Sequence, residues 1–190
     1  MKSTELDHLF KETTVAQTDV FCGKVLHVFC DEIALPNGKH SVREYARHRG
    51  AVAVVALDEN ENVFLVRQYR YAIGRTTLEI PAGKLEPTDT DTEEAARREL
   101  SEEIGATVGR FSFLGTYLAP PAILTERIFC YLAEDLTFGE AHPDEDENLS
   151  VISMPLEKAV GEIEKGTFED GKTLFALLKT YLLKRRGHTL

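Results

Sequence analysis

Residues 83–106 read GKLEPTDTDTEEAARRELSEEIGA, and this stretch decides how the rest of the chain is read. It predicts one helix. Asp91, with Glu94 three residues on, makes a capping-box-like start. Gly105 is a natural stop, because glycine tolerates the left-handed conformation that closes a helix. On that helix Glu99, Glu102 and Glu103 fall at i, i+3 and i+4, so their carboxylates share one face. Like charges at that spacing repel by ~0.2–0.5 kcal/mol per pair. A divalent cation turns the repulsion into binding. Mg2+ takes hard oxygen ligands in an octahedron and keeps several waters. A few carboxylates beside open positions therefore suit an ion that must also hold phosphate oxygens. Ala95, Leu100 and Ile104 can bury another side of the same helix. A Glu-rich helix face is ordinarily solvated surface, so the surroundings carry the weight. Gly83 closes a predicted strand, Arg98 directly precedes Glu99, and Gly105 follows Glu103 with one residue between.

Upstream, residues 51–57 are an apolar run that reads as a strand buried on both faces. Asp58-Glu59-Asn60-Glu61 turns the chain, and residues 63–70 return as a second strand. Residues 77–81 approach Ala82-Gly83 in extended form. Residues 18–48 read as a small β unit. Within it, 20–30 is rich in β-branched and aromatic residues, and Pro36-Asn37-Gly38-Lys39 is a hairpin turn of the Asn-Gly kind before 41–45. Downstream, 111–114, 128–133 and 151–154 are strand candidates, and 142–148 is an acidic loop. Pro155 opens a short helix that ends near Gly166. A last helix over 173–184 carries Leu174, Leu177, Leu178, Tyr181 and Leu182 as one apolar stripe. Strands and helices alternate in mixed order, so the class is α/β (α+β) with helices packed on a sheet.

A chain of 190 residues is long enough for one main domain with a small appendage. Thirty-two acidic against 22 basic residues give a net charge of −10, which argues against a nucleic-acid binder that works by bulk phosphate neutralisation. It does not exclude a small anionic substrate, since a bound metal reverses the local field. The longest aliphatic run falls far short of the ~20 apolar residues of a membrane helix, and the N-terminus shows no signal-peptide pattern. The three cysteines, Cys22, Cys30 and Cys130, have no metal-ligand spacing and read as small core residues in a reducing, cytoplasmic compartment. The six histidines show no ligand spacing either and read as surface residues.

The 98–106 segment, RELSEEIGA, resembles the second half of the Nudix hydrolase box, G-x5-E-x7-R-E-U-x-E-E-x-G-U, at every fixed position. The first half departs from it. Six residues on from Gly83 stands Asp89, and eight back from Arg98 stands Thr90, so the box's first glutamate is missing in either register and the loop after Pro87 carries one extra residue. The flanks resemble the ADP-ribose pyrophosphatase branch. Residues 65–71, LVRQYRY, are similar to its L-x-R-Q-x-R strand, and 78–86, LEIPAGKLE, to its approach to the box. Pro121 with Glu126 resembles its S-P-G-x-x-x-E segment, with Ala119-Pro120-Pro121-Ala122 in place of Ser-Pro-Gly.

The resemblance implies a Nudix-type α/β/α sandwich with a mixed sheet over 49–190, preceded by an N-terminal β subdomain over 1–48. That subdomain would form a homodimer and contribute to the partner's substrate pocket. It implies Mg2+ (or Mn2+) held by Glu99, Glu102, Glu103 and the Ala82 carbonyl, with Arg98 locking the glutamates in place. It implies a general base from the acidic loop, Glu145 first and Glu147 second. Arg70, Glu79, Pro121 and Glu126 are the expected substrate contacts, Arg70 by stacking or hydrogen bonding and Glu79 through a ribose hydroxyl. Tyr69, Tyr71 and Phe64 are expected on the core or sheet face. The implied reaction is hydrolysis of ADP-ribose to AMP and ribose 5-phosphate. Two alternatives stand beside it: another nucleoside diphosphate compound (GDP-mannose, a UDP-sugar or NADH), or a non-catalytic nucleotide-sensing module.

Overall fold

A computed structural model describes residues 6–142 and 148–187. The expected bases Glu145 and Glu147 lie outside the described residues. The chain divides into two units, Met1–His48 with Pro120–Glu126, and Arg49–Ala119 with Arg127–Leu190.

The first unit contains a one-turn helix α1 (Asp7–Phe10) and the strands β1 (Thr13–Cys22), β2 (His27–Ala34) and β3 (His40–Arg47). They form an antiparallel sheet in the order β1-β2-β3. The β-rich stretch 20–30 spans the end of β1 and the start of β2, joined by a turn in which the Gly23 N–H donates to Leu26 O at 2.8 Å. The Asn-Gly turn forms as expected. Gly38 sits at φ +79°, a conformation costly for a residue with a Cβ, and Asn37 Oδ1 accepts from the Lys39 N–H. Phe29, Asp31 and Ile33 take the buried side of β2 at alternate positions, whereas all ten residues of β1 are exposed. The segment 120–126 is stitched to β3. The Ala46 N–H donates to Ile123 O at 2.8 Å and the Thr125 N–H to Ala46 O at 3.1 Å.

The second unit runs β4 (Ala51–Leu57), β5 (Asn62–Arg70), β6 (Arg75–Glu79), β7 (Ala82–Lys84), α2 (Thr92–Ile104), β8 (Ala106–Leu118), β9 (Arg127–Phe138), β10 (Leu149–Pro155), α3 (Leu156–Glu164) and α4 (Gly171–Arg185). The sheet order is β10-β5-β4-β9-β8, with β6 on β5 and β7 on β4. The β4–β9 pair is parallel and the other pairs are antiparallel, so the sheet is mixed.

Every residue of β4 is buried. Side chains alternate across a strand. Ala51, Ala53, Val55 and Leu57 join Leu156 and Ala159 of α3 and Ala176 and Leu177 of α4. Val52, Val54 and Ala56 join Ala95, Ala96, Leu100 and Ile104 of α2 on the other face. The result is the expected α/β/α sandwich. Strands β8 and β9 run well beyond the expected 111–114 and 128–133, because their ends go on pairing with each other, from Ala106 with Phe138 to Leu118 with Arg127, where apolar and polar residues are mixed.

The cysteine expectation is corrected at two positions. Cys130 is buried, but Cys22 is exposed and Cys30 half-buried, since Phe29 and Asp31 take the inward face of β2. Burial pushes the Cys130 thiol up to about 12. Phe64 packs against Phe138. Tyr69 and Tyr71 are exposed, the latter on a single 3-10 turn after β5, and are not core residues. No described helix is long and apolar enough to cross a membrane.

Candidate active site

The helix α2 begins and ends where its sequence demands. The Asp91 side chain accepts from the Glu93 N–H at 2.8 Å, which satisfies one of the donors a helix N-terminus leaves open. Gly105 closes the helix at φ +66°, its N–H donating to Leu100 O and Ser101 O. With Leu100 fully buried against the sheet, the rotation of the helix is set. That rotation turns Glu103 inward, to 3% exposure, where its Oε2 accepts from the Ala82 N–H at 3.1 Å.

Glu99 reaches the neighbouring residue. A Cβ built on Gly83 would lie 1.9 Å from Glu99 Oε2 and 2.1 Å from its Cδ. Only glycine at 83 lets the carboxylate sit there. The short strand β7 thus brings Ala82 and Gly83 directly under Glu103 and Glu99.

Arg98 gathers the remaining charge. Its Nη1 lies 2.9 Å from Glu99 Oε1 and 3.2 Å from Glu102 Oε2, and its Nη2 lies 3.2 Å from Asp89 Oδ2. Glu86 stands at 3.7 Å. Partial burial would lower the Arg98 pKa, but the charges of Glu99, Glu102, Asp89 and Glu86 outweigh it and raise it.

Asp89 was not among the expected site residues. It occupies the place, six residues after Gly83, where the box has its first glutamate, and it reaches the box arginine despite the shorter side chain. Its Oδ2 also accepts from the Glu86 N–H at 2.7 Å, which closes the extra-residue loop. The departure from the box pattern is therefore met by a carboxylate after all. The sequence signal was the acidic residue at that offset.

The all-oxygen chemistry of the Glu99, Glu102 and Glu103 carboxylates is of the kind a hard divalent cation takes. Among the described residues, no three His, Cys, Asp or Glu side chains are grouped so as to hold a metal ion in this arrangement. The helix offers a partial set, of the kind that leaves positions for water and phosphate oxygens.

The expected substrate contacts are placed differently from one another. Arg70, at the end of β5, donates to both oxygens of Glu79 at 2.8 and 2.7 Å. Glu79 is 2% exposed, and its oxygens also accept from Thr77 and Lys172. Burial would raise the Glu79 pKa, but the hydrogen bonds from Arg70, the charge and hydrogen bond of Lys172 and the Thr77 hydroxyl hold it down at about 2. A carboxylate so enclosed and so engaged anchors Arg70. The Arg70 side chain itself keeps 40% exposure. Pro121 and Glu126 belong to the first unit. Pro121 is exposed, and Glu126 Oε1 lies 3.2 Å from His48 Nδ1.

The second unit is thus a three-layer α/β/α domain in which α2, on one face of the sheet, sets Glu99 and Glu103 against the glycine-bearing strand β7. Residues 47–177 match the family model for the NUDIX domain, and the chain belongs to the Nudix family as a Nudix hydrolase. Nudix hydrolases as a class depend on a divalent metal. The chain is 38% identical over 179 residues to the ADP-ribose pyrophosphatase of Bacillus subtilis (strain 168), covering 93% of each chain. It is 37% identical over 182 residues to the methanol dehydrogenase activator of Bacillus methanolicus, covering 95% of this chain and 98% of the relative. Its fold matches the crystal structure of an ADP compounds hydrolase with a TM-score of 0.82, at 25% identity over 95% of this chain and 98% of the other.

Proposed function

We propose that the protein hydrolyses the diphosphate bond of a nucleoside diphosphate sugar, with ADP-ribose as substrate and AMP and ribose 5-phosphate as products. The observation that carries this reading is Glu103 on the Ala82 N–H and Glu99 against Gly83, with Arg98 bridging Glu99 and Glu102. Nucleotide binding alone does not call for that carboxylate row. The choice of ADP-ribose follows the names of the Bacillus subtilis relative and of the matching structure, which agree on an ADP compound.

Glu99, Glu102, Glu103 and the Ala82 carbonyl would hold Mg2+ (Mn2+ as its substitute). Bound there, the ion neutralises charge on the diphosphate and fixes it for in-line displacement. The chain's own residues do the rest. Arg98 keeps Glu99 and Glu102 from rotating away, through charge-assisted hydrogen bonds. The Ala82 N–H keeps Glu103 in place. Glu145, with Glu147 as second candidate, takes the proton of the attacking water on the strength of the resemblance. The water oxygen bonds to phosphorus, the bridging P–O bond breaks, and the bridging oxygen leaves with the other phosphate. Arg70 meets the substrate from the end of β5. Pro121 and Glu126 are assigned to substrate contact on the resemblance alone.

The second unit would be the catalytic domain and the first a dimerisation module. All of β1 is exposed, and Val15, Val20, Phe21 and Val42 leave apolar surface on its sheet, which supports a second copy as its partner. Sedimentation equilibrium checks this. The protein is proposed to act in the cytoplasm.

The direct test is chromatography of ADP-ribose incubated with the protein and Mg2+, beside an EDTA control and Glu103→Gln. Release of AMP and ribose 5-phosphate that EDTA and the substitution both abolish is the expected result. Silence on ADP-ribose from folded protein refutes the substrate, and a panel of GDP-mannose, UDP-sugars and NADH then separates another hydrolase from a nucleotide sensor. Glu145→Gln is expected to lower turnover by ~10²–10⁴-fold, and an unchanged rate moves the base to Glu147.

A further inference from the structure

The reaction above leaves a buried charged cluster between the sheet and α4 without a use. Lys172 is 6% exposed and Glu79 2%. The Lys172 ammonium pairs with Glu79 Oε2, and with Asp170 Oδ2 at 3.0 Å. Asp170 caps α4 by accepting from the Thr173 N–H at 2.9 Å and from its hydroxyl at 2.5 Å. Thr173 Oγ1 in turn accepts from the Ile80 N–H at 3.1 Å. The start of α4 therefore grips two consecutive residues, Glu79 and Ile80, three and two positions before Ala82.

Taking a lysine and a glutamate out of water costs several kcal/mol per ion, and a well-packed apolar pair is often as stable. Packing alone does not explain Lys172. What its ammonium adds is direction. It holds Glu79 from the α4 side and leaves the carboxylate turned toward Arg70, which it meets in two parallel hydrogen bonds. Such a two-pronged pair fixes the plane of the guanidinium as well as its position. The hydrogen bond to Glu79 is the main cause of the raised Arg70 pKa, burial opposes it, and the charges of Glu79, Asp170 and Glu103 add to it, so Arg70 also stands within electrostatic reach of the carboxylate helix.

We propose that Lys172 is a positioning residue for substrate binding: through Glu79 it holds the partly exposed Arg70 guanidinium in the plane that engages the nucleoside diphosphate sugar. The inference rests on the hydrolase reading and on Arg70 as a substrate contact. It gives a residue outside the Nudix box, on the last helix, a part in setting affinity.

The test is a double-mutant cycle on the full-length protein, with KM and kcat measured for the wild type, Lys172→Met, Arg70→Ala and the double variant, well below each melting temperature. Lys172→Met is expected to raise KM for ADP-ribose about tenfold with kcat within about twofold, the signature of lost ground-state binding. In the Arg70→Ala background the same substitution is expected to change KM less than about twofold, because the group it positions is gone. A folded Lys172→Met enzyme with wild-type KM overturns the proposal, and so does an equal KM rise with and without Arg70. If Lys172→Met does not fold, Lys172→Gln replaces it, keeping one donor to Glu79 without the charge. A wild type silent on ADP-ribose overturns the substrate reading alone, and the cycle is then run on whichever diphosphate of the panel is cleaved, with the same two outcomes deciding. Cleavage of none overturns both.

Discussion

Gly83→Ala separates the site from the fold. The added methyl would fall 1.9 Å from Glu99 Oε2, and ordinary contact begins at 3.4 Å, so the carboxylate must retreat by about 1.5 Å. What it meets is the far end of a flexible side chain, and Gly83 does not adopt a left-handed backbone. The fold can absorb the change. Restricting the unfolded chain favours alanine by ~0.4–1 kcal/mol, and displacing Glu99 gives some of that back. The net stability change is expected to stay within about 1 kcal/mol, a shift of ~2–4 °C in a domain of this size. Activity should respond differently, because misplacing a reacting constellation by ~1 Å can cost ~10²-fold. Turnover of ADP-ribose as a function of Mg2+, beside a melting curve, reads both quantities. The expected result is a fall of about 100-fold in turnover, with a higher Mg2+ midpoint, on a protein that melts normally. Wild-type turnover with an unchanged midpoint would refute the placement of Glu99. A melting temperature lowered by more than about 10 °C would refute the claim that Gly83 serves the site rather than the sheet.

Glu79 should make the protein acid-sensitive. Its pKa is about 2 against an ordinary 4.5, so its contribution is fully present above pH 4.5 and is lost as pH falls toward 2, on the order of 3 kcal/mol in all. Glu79→Gln should flatten the stability profile in that window and lower stability at pH 7, read by denaturant titration at each pH. Asp89→Asn removes one charge from the Arg98 cluster, and turnover is expected to fall about tenfold with little change in melting temperature; an unchanged rate would show that Arg98 is held well enough by Glu99 and Glu102. Cys130, buried and with its thiol pushed up to about 12, should resist a disulfide reagent until the protein unfolds, while the exposed Cys22 reacts in the native state.

What was legible in the sequence was local. The α2 helix could be read from Asp91, the carboxylate spacing and Gly105, because cap, face and stop all lie within one short segment. Residues 51–57 could be read as a doubly buried strand because seven apolar residues in a row leave no solvated face. The N-terminal unit was harder. Residues 20–30 are β-rich on both sides of Gly23-Lys24, and the turn there is marked by that pair and one backbone hydrogen bond, from the Gly23 N–H to Leu26 O, rather than by a strong turn dipeptide. At the 106–108 and 136–138 ends of β8 and β9 only Ala106, Val108 and Leu136 turn toward the core, too few in each strand to stand out as an alternating run. Glu79 and Lys172 are 93 residues apart, and no spacing rule links them. Their contact exists only once α3 and α4 fold back over the sheet.

That contact changes where the site's precision comes from. Residues 79–83 are held from both layers of the sandwich. From the α4 side, Lys172 binds Glu79 and Thr173 binds the Ile80 N–H. From the α2 side, Glu103 accepts from the Ala82 N–H, and Glu99 lies against Gly83. Between them Pro81 O accepts from the Val54 N–H at 2.9 Å, which ties the stretch to the central strand. A five-residue segment fixed on three sides cannot shift toward one helix without breaking a bond to the other. The box supplies the carboxylates, but their register against Ala82 and Gly83 is set jointly by a helix that carries none of them. Loss of the Thr173 hydroxyl, which frees the Ile80 N–H, should therefore be felt at the carboxylates, whereas Lys172→Met leaves that bond in place and is felt at Arg70.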